Sequence, residues 1–386
     1  RPDGVGLMRS LAGNIYDFVD RNYDIVMQYR KQELIRIALP ARVTAQAAET
    51  IPLVLTVAKA KYGLKGVDWQ VDPQLGANGG RWQMLSPTEL QIKLPAYLFS
   101  GDRRDAQEYK ISAVATDNHG NPSNTAETVI GVVPSENVVS LSVSPEGQSL
   151  AVGSAPGFTL TARATDAKGA PLANQTLSFS VTGLSGENGL AGAVISAANG
   201  RQAENGNITV VTDADGRAVV TVTSTVAGRG TVTVTMDNGN SAAATVSFAA
   251  DGASAQVSEL AVVADNATAD GVAANRVRVT VRDKYGNPVS GAEVYLSADN
   301  GATTAETVTT GEAGTAEAAV TSRKAGPSVV TASLGGGSKT VTVTFGAGEP
   351  ARGSSVISTD ATRYVAGDDI TVSVVLKDAE NNAVTG

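Results

Sequence analysis

A chain of 386 residues is too long for one ordinary core and, at roughly 100 to 150 residues per domain, predicts about three or four. Val, Thr, Ala, Ser and Gly dominate while aromatics make up only 4%, so the cores must be built from small and β-branched side chains on pleated surfaces, and long helices are disfavoured. A formal charge of −8 with scattered Lys and Arg argues against nucleic acid and anionic headgroups as partners, and the absence of Cys excludes disulfides, thiolate metal sites and cysteine nucleophiles.

No apolar run reaches the roughly 18 to 20 residues of a membrane helix, and no signal peptide opens the chain, whose first residue is Arg1. The sequence therefore reads as a fragment, with any export signal ahead of it. The first forty residues hold six Lys plus Arg against five Asp plus Glu, and the stretch Asn14 to Pro40 resembles nothing downstream. Within them residues 25–30 alternate, as an ordinary strand or the end of an outer-membrane barrel strand does.

Residues 41–133 form the first candidate unit and hold both tryptophans, Trp69 and Trp82, for which packing in a sandwich interior is the expected role. Their closing half, "YKISAVATDNHGNPSNTAETVIGVV", reads as strand, turn, strand.

The remainder repeats itself. "LTARATDAKGAPLANQTLSFS" (160–180), "VRVTVRDKYGNPVSGAEVYLS" (277–297) and "ITVSVVLKDAENNAVTG" (370–386) are versions of one sentence, in which Asp166, Asp283 and Asp378 end an alternating strand. Three residues later stand Gly169, Gly286 and Asn381, types that tolerate the left-handed backbone of a tight turn. A second sentence pairs 211–236 with 308–334, matching Gly216 to Gly314 and Gly228 to Gly326. In the third unit strands are expected near 257–264, 276–282, 293–297, 306–309, 315–322, 328–334 and 339–346, seven strands with frequent turns, which is the pattern of an immunoglobulin-like sandwich. The period is too long for a solenoid and suits self-sufficient domains. The joints fall at 132–140, 249–258 and 346–355, short stretches rich in Gly, Ala, Ser or Pro.

"DFVDRNYDIVMQYRKQELIRIALP", then "VAKAKYGLKGVDW", then "IKLPAYLFSGDRRDAQEYKISAVATDNHGNPSN" resemble the barrel-to-passenger junction of intimin and invasin type adhesins, the inverse autotransporters of Gram-negative bacteria. The similarity runs in order over about residues 14 to 133, and the later repeats resemble the bacterial Ig-like (Big-1 type) domains of that family. The resemblance implies an upstream β-barrel in the outer membrane and a rod of Ig-like domains on the cell surface carrying a distal tip for a host-cell or bacterial surface receptor. Most of the barrel and any lectin-like terminal domain are absent here, so no receptor-binding residue is carried over.

Chemistry-bearing constellations are sparse. His119 is the only histidine and sits in a turn, "TDNHGNPS", where a solvated loop role is expected; without a second His or a Cys, neither a His-based zinc site nor a Ser-His-Asp arrangement can be assembled. "GGGSKT" (335–340) departs from a phosphate loop, because Ser338 precedes Lys339 and strands follow; it reads as a hairpin turn. The pairs Asp213 with Asp215, Asp265 with Asp270, and Asp368 with Asp369 are expected to cap backbone N–H groups, with calcium at a domain joint as the alternative. Sequons at Asn174, Asn207 and Asn266 are expected to be accidental matches in a bacterial protein.

The expectation is thus an all-β chain: tandem Ig-like β-sandwiches in an elongated array behind a short barrel or linker remnant. Its segments are 1–40, the junction unit 41–133, Ig-like units 138–250 and 257–347, and the truncated start of another at 353–386. Its expected role is the stalk of a surface adhesin, with no catalytic, cofactor-binding or metal residues and no nucleic acid partner. Ig-like accessory or carbohydrate-binding modules of a secreted enzyme are the competing reading; the scarcity of aromatics in 140–350 speaks against them.

Overall fold

The computed structural model describes residues 34–102, 105–186, 192–204 and 206–385. The alternating strand expected at 25–30 lies outside them. The regular structure of the described residues is almost all strand; the short α-helix Pro73–Ala77 is started by Asp72, whose carboxylate accepts the Gln74 N–H.

Three hydrophobic cores lie along the chain, and no buried residue is shared between them. Alternation creates each one. In Asn275–Arg282 the side chains of Val277, Val279 and Val281 are buried, while Arg276 and Arg278 face outward and pair with Glu317 on the neighbouring strand at 3.4 and 3.0 Å.

The second and third units have one topology. In the second, a four-stranded sheet orders Val138–Ser144, Phe158–Thr165, Arg217–Ser224 and Ala193–Ala197. It faces a five-stranded sheet of Leu150–Ala151, Ser241–Ala249, Gly228–Thr235, Thr176–Thr182 and Asn207–Val211. The third unit repeats this with Gln256–Ala264, Asn275–Arg282, Thr315–Thr321 and Thr303–Thr304 against Ala267–Thr268, Gly337–Gly346, Gly326–Leu334, Glu293–Ala298 and Thr307–Thr309. In both, the first strand of the five lies parallel to its neighbour, so the chain crosses from one sheet to the other early and ties the layers together. In the third unit the buried Asn275 fixes that crossing: its Oδ1 accepts the Ala267 N–H at 2.9 Å and its Nδ2 donates to the Thr344 carbonyl at 3.0 Å.

The seven strands expected in the third unit are all present to within about two residues, joined by the short Ala267–Thr268 and Thr303–Thr304. The matched glycines carry matched backbones. Gly216 and Gly314 have φ of 74° and 73°, and a Cβ at either position would crowd a strand carbonyl, standing 2.6 Å from that of Ala164 and 2.8 Å from that of Val281 respectively.

The first unit differs. A four-stranded sheet of Arg42–Gln46, Pro122–Val133, Gln107–Asp117 and Leu64–Val71 packs against the three strands Thr50–Val54, Glu89–Lys93 and Arg81–Ser86, with Ile35–Ala38 paired to Thr56–Ala60. Ile35 and Ile37, which the sequence pattern groups with the first forty residues, are fully buried in this unit's core. The two tryptophans part company. Trp69 is buried, its indole N–H donating to the Pro87 carbonyl at 3.1 Å, but Trp82 is 43% exposed, contrary to expectation. The reason is position: Arg81–Ser86 is an edge strand with every residue exposed, and the core ends before reaching it.

Beyond Gly346 the strands Val356–Thr359 and Val372–Val375 pair antiparallel, and all their residues are exposed, Ile357 and Val374 among them.

Separate cores make separate melting units. Phe179→Ala is expected to destabilise the second unit by about 3 to 5 kcal/mol, with urea unfolding followed by hydrogen exchange showing unchanged protection in strands of the first and third units.

Candidate functional site: the joints between the units

Four of the six carboxylates weighed as catalytic or calcium groups hold backbone. Asp213 accepts the N–H groups of Asp215 and Arg217, both at 2.9 Å. Asp265 accepts Thr344 N–H, and Asp270 accepts Val272 and Ala273 N–H, each at 2.8 Å. Asp368 accepts Val365 N–H at 3.1 Å. His119 stacks on Tyr62 with ring centroids 3.9 Å apart. Gly335 and Gly336 form the two-residue turn of a hairpin in which Leu334 pairs with Gly337. Two of the three sequon asparagines, Asn174 and Asn266, have φ of 57° and 64°, so their identity answers a backbone requirement.

The elaborated polar chemistry lies where units meet. Asp283, only 6% exposed, ends its strand as expected, and its Oδ1 accepts the N–H groups of Tyr285 and Asn287, both at 2.9 Å. Its Oδ2 accepts Asn287 Nδ2 at 3.0 Å and, from the linker, Asp251 N–H at 2.9 Å. Asn287, so fixed, reaches into the second unit: its Oδ1 accepts Ala227 N–H at 2.9 Å and its Nδ2 donates to the Thr225 carbonyl at 2.8 Å. The receiving loop is shaped by Ser224, whose Oγ accepts Val226 N–H and donates to the Val226 carbonyl. Gly153 completes the fit, since a Cβ there would stand 2.2 Å from Tyr285 Oη.

The next joint repeats these contacts residue for residue. Asp378 accepts Glu380 and Asn382 N–H on Oδ1, and Asn382 Nδ2 and the linker's Gly348 N–H on Oδ2. Asn382 accepts Ala325 N–H and donates to the Arg323 carbonyl, both at 2.7 Å, on a loop shaped by Ser322. The reaching residue two after the aspartate makes a different contact: Glu380 pairs with Arg323 at 2.9 Å where Tyr285 meets Gly153. Ser-x-x-Ala-Gly on one unit and Asp-x-x-x-Asn on the next are therefore two halves of one coupling. Sequence patterns mark the aspartates and turn glycines but not the asparagines; their signal was the co-occurrence of both short strings in 224–228 with 283–287 and in 322–326 with 378–382.

The first joint has neither half. Ala170 stands where Asn287 does, and the first unit has "PAYLFSGDRRD" (95–105) ahead of its last two strands and no Ser-x-x-Ala-Gly string. The turn after Met236 substitutes: Tyr97 N–H donates to the Asn238 carbonyl at 3.0 Å, Lys93 pairs with Asp237 at 3.0 Å, and Asn238 and Asn240 donate to linker carbonyls of Ser135 and Asn137. Gly239, φ 92°, lies against the Tyr97 backbone.

Burial by itself raises the pKa of Asp283 and Asp378, yet the converging N–H donors outweigh it and hold both below the usual carboxylate value. With the folded pKa depressed, the carboxylates stabilise the joints at pH above the unfolded value of about 3.9, and that contribution is lost as pH falls through the folded pKa.

These features define a class, tandem bacterial Ig-like sandwiches coupled through shared loop chemistry. Residues 257–346 match the bacterial Ig-like domain (group 1), and residues 36–132 match the first Ig-like domain of intimin. The chain is 30% identical to intimin of Escherichia coli O111:H- over 81% of its own length and 32% of that protein. It is 37% identical to the inverse autotransporter adhesin YeeJ of E. coli K12 over 46% of its length and 8% of YeeJ, and 31% identical to invasin of Yersinia enterocolitica over 45% of its length and 22% of invasin. Residues 36–132 and 257–346 thus match Ig-like domains of the kinds that intimin and bacterial surface proteins carry, and the chain spans a third or less of the length of these relatives.

Asn287→Ala is expected to weaken the coupling of the second and third units by about 1 to 3 kcal/mol, read as faster hydrogen exchange at Ala227, whose N–H donates to Asn287, with protection in the core strands of both units unchanged. Titration from pH 6 to pH 2.5 should loosen the same joint in the native chain, seen as lower hydrogen-exchange protection, relative to the intrinsic rate at each pH, at 225–227 and 251. In Asp283→Asn the acid step at this joint should vanish. Because N–H donors occupy both oxygens of Asp283 and Asp378, a chelator is expected to leave the unfolding midpoints of both joints unchanged.

Proposed function

We propose that this chain is a length of stalk from a Gram-negative surface adhesin, holding a distal receptor-binding domain away from an outer membrane in which an upstream barrel is anchored. The observation that carries the reading is the repeated coupling: units with cores of their own are joined by directional hydrogen bonds instead of free linkers. Similarity to intimin, to invasin and to an inverse autotransporter adhesin supports it.

In this reading the stalk works mechanically and performs no reaction. A strand of eight residues spans roughly 25 Å, so each unit adds a few tens of ångström of reach. Hydrogen-bonded joints preserve that reach, where a flexible linker would let it shrink with the square root of its length. The segments are a barrel end or linker ahead of the strand Ile35–Ala38, which belongs to the junction unit, then that unit to 133, units 138–250 and 257–347, and the opening of a further sandwich over 353–386. The exposed Ile357 and Val374, together with the fully formed Asp378 loop, favour that last assignment. The receptor contacts a domain outside this sequence.

Small-angle scattering of the chain should give an elongated particle with a longest dimension on the order of 100 Å or more, as three sandwiches in line require. A compact profile of the same mass would overturn the stalk. Extension past Gly386 should bury Ile357 and Val374, measured as slowed hydrogen exchange in Val356–Thr359 and Val372–Val375.

A further inference from the structure

The two Asp-Asn joints draw on main chain at position 225 and at its counterpart 323, whose carbonyls accept the Asn287 and Asn382 amides. The side chains there, Thr225 and Arg323, are therefore free to differ without touching those bonds. The same holds two residues after each aspartate, where Tyr285 and Glu380 build the turn through their N–H groups whatever side chain they carry.

Both differences converge on one spot. Gly153 and Gly271 are equivalent, with φ of 75° and 80°, and each donates its N–H to the carbonyl of the loop serine, to Ser224 at 2.9 Å and to Ser322 at 3.0 Å. Neither has room for a side chain, but different groups cover them. Over Gly271 lies Arg323 of the same unit, with Nε and Cγ 3.0 and 3.1 Å from where a Cβ would stand. Thr225 is too short to cover Gly153 in this way, and the ring of Tyr285 from the following unit lies there instead, with Oη and Cζ 2.2 and 2.9 Å from the Cβ position. Because Arg323 already covers its own glycine, its loop meets the next unit with a guanidinium, and Glu380 pairs with it at 2.9 Å.

We propose that these positions form a recognition pair that sets which unit docks best behind which. A short residue at 225 leaves a glycine seat for an aromatic ring two residues after the aspartate, whereas the arginine at 323 fills the seat and calls for a carboxylate. A tyrosine brought against Arg323 finds its seat occupied. A glutamate brought against Thr225 loses its cation and leaves Gly153 uncovered. Each pairing thus favours its own partner and penalises the other. The asparagine bonds are common to both joints, so a mismatched pair of units still couples, with a poorer fit. This inference does not rest on the stalk reading, because it concerns which neighbours fit and not what the array carries.

Exchanging these residues in the full chain tests it, with hydrogen exchange at Ala227, whose N–H donates to Asn287, as the measure of joint opening. Thr225→Arg and Tyr285→Glu alone should each speed that exchange by about tenfold, and the two together should return it to within about threefold of the native rate, a coupling in the range found for residues in contact. At the next joint Arg323→Thr and Glu380→Tyr should behave alike at Ala325, whose N–H donates to Asn382. The single effects there should be smaller, about threefold, because Arg323 is largely exposed and its ion pair is screened. Protection in Phe158–Thr165 and Asn275–Arg282 should stay unchanged, which separates a loosened joint from an unfolded unit; if a single replacement unfolds its unit, the other joint decides. Double replacements that merely multiply the effects of the singles, or singles that leave exchange at Ala227 and Ala325 unchanged, would overturn the proposal, whatever scattering says of the overall shape.

Discussion

A carboxylate taken out of water must be repaid in hydrogen bonds, and this requirement organises the chain above the level of single units. Asp283 ends a core strand where the apolar alternation stops. With four N–H donors converging on it, the turn has one conformation, and Asn287 is presented to the preceding unit with its amide already aimed. Few degrees of freedom remain to be lost when the two units meet, so two bonds suffice to set their relation. The same logic, with Asp378 and Asn382, is written a second time.

Much of the architecture was legible because period and turn chemistry agree. Val277, Val279 and Val281 alternate with arginines, and Gly286 follows at the position where the backbone turns left-handed, so strand and turn were both marked. The division into units followed from the repetition of such sentences. Burial at edges was less visible. Trp82 carries the composition of a core residue, but only the three-dimensional pairing shows that its strand lies outside the core. Ile35 and Ile37 were likewise ambiguous, since four residues of alternation suit a barrel strand and a sandwich strand equally.

The joints were partly hidden for a different reason. Each half of the coupling, Ser-x-x-Ala-Gly or Asp-x-x-x-Asn, is composed of common loop residues and means little in isolation. Asn275 is similar: an asparagine in the first position of a valine-rich strand gives no hint that it crosslinks two sheets until Ala267 and Thr344 are brought to it. Polar groups of this kind are read from what they satisfy, and that is a property of the fold.

The alanine at position 170 carries one last implication. Because the second unit lacks the backward-reaching amide and the first lacks the loop that would receive it, this pair is matched privately, whereas the units after it speak a common dialect. Gene duplication or recombination can therefore lengthen or shorten such a protein behind its second unit without redesigning a boundary, while a copy spliced between the first two would arrive with ends that neither neighbour understands.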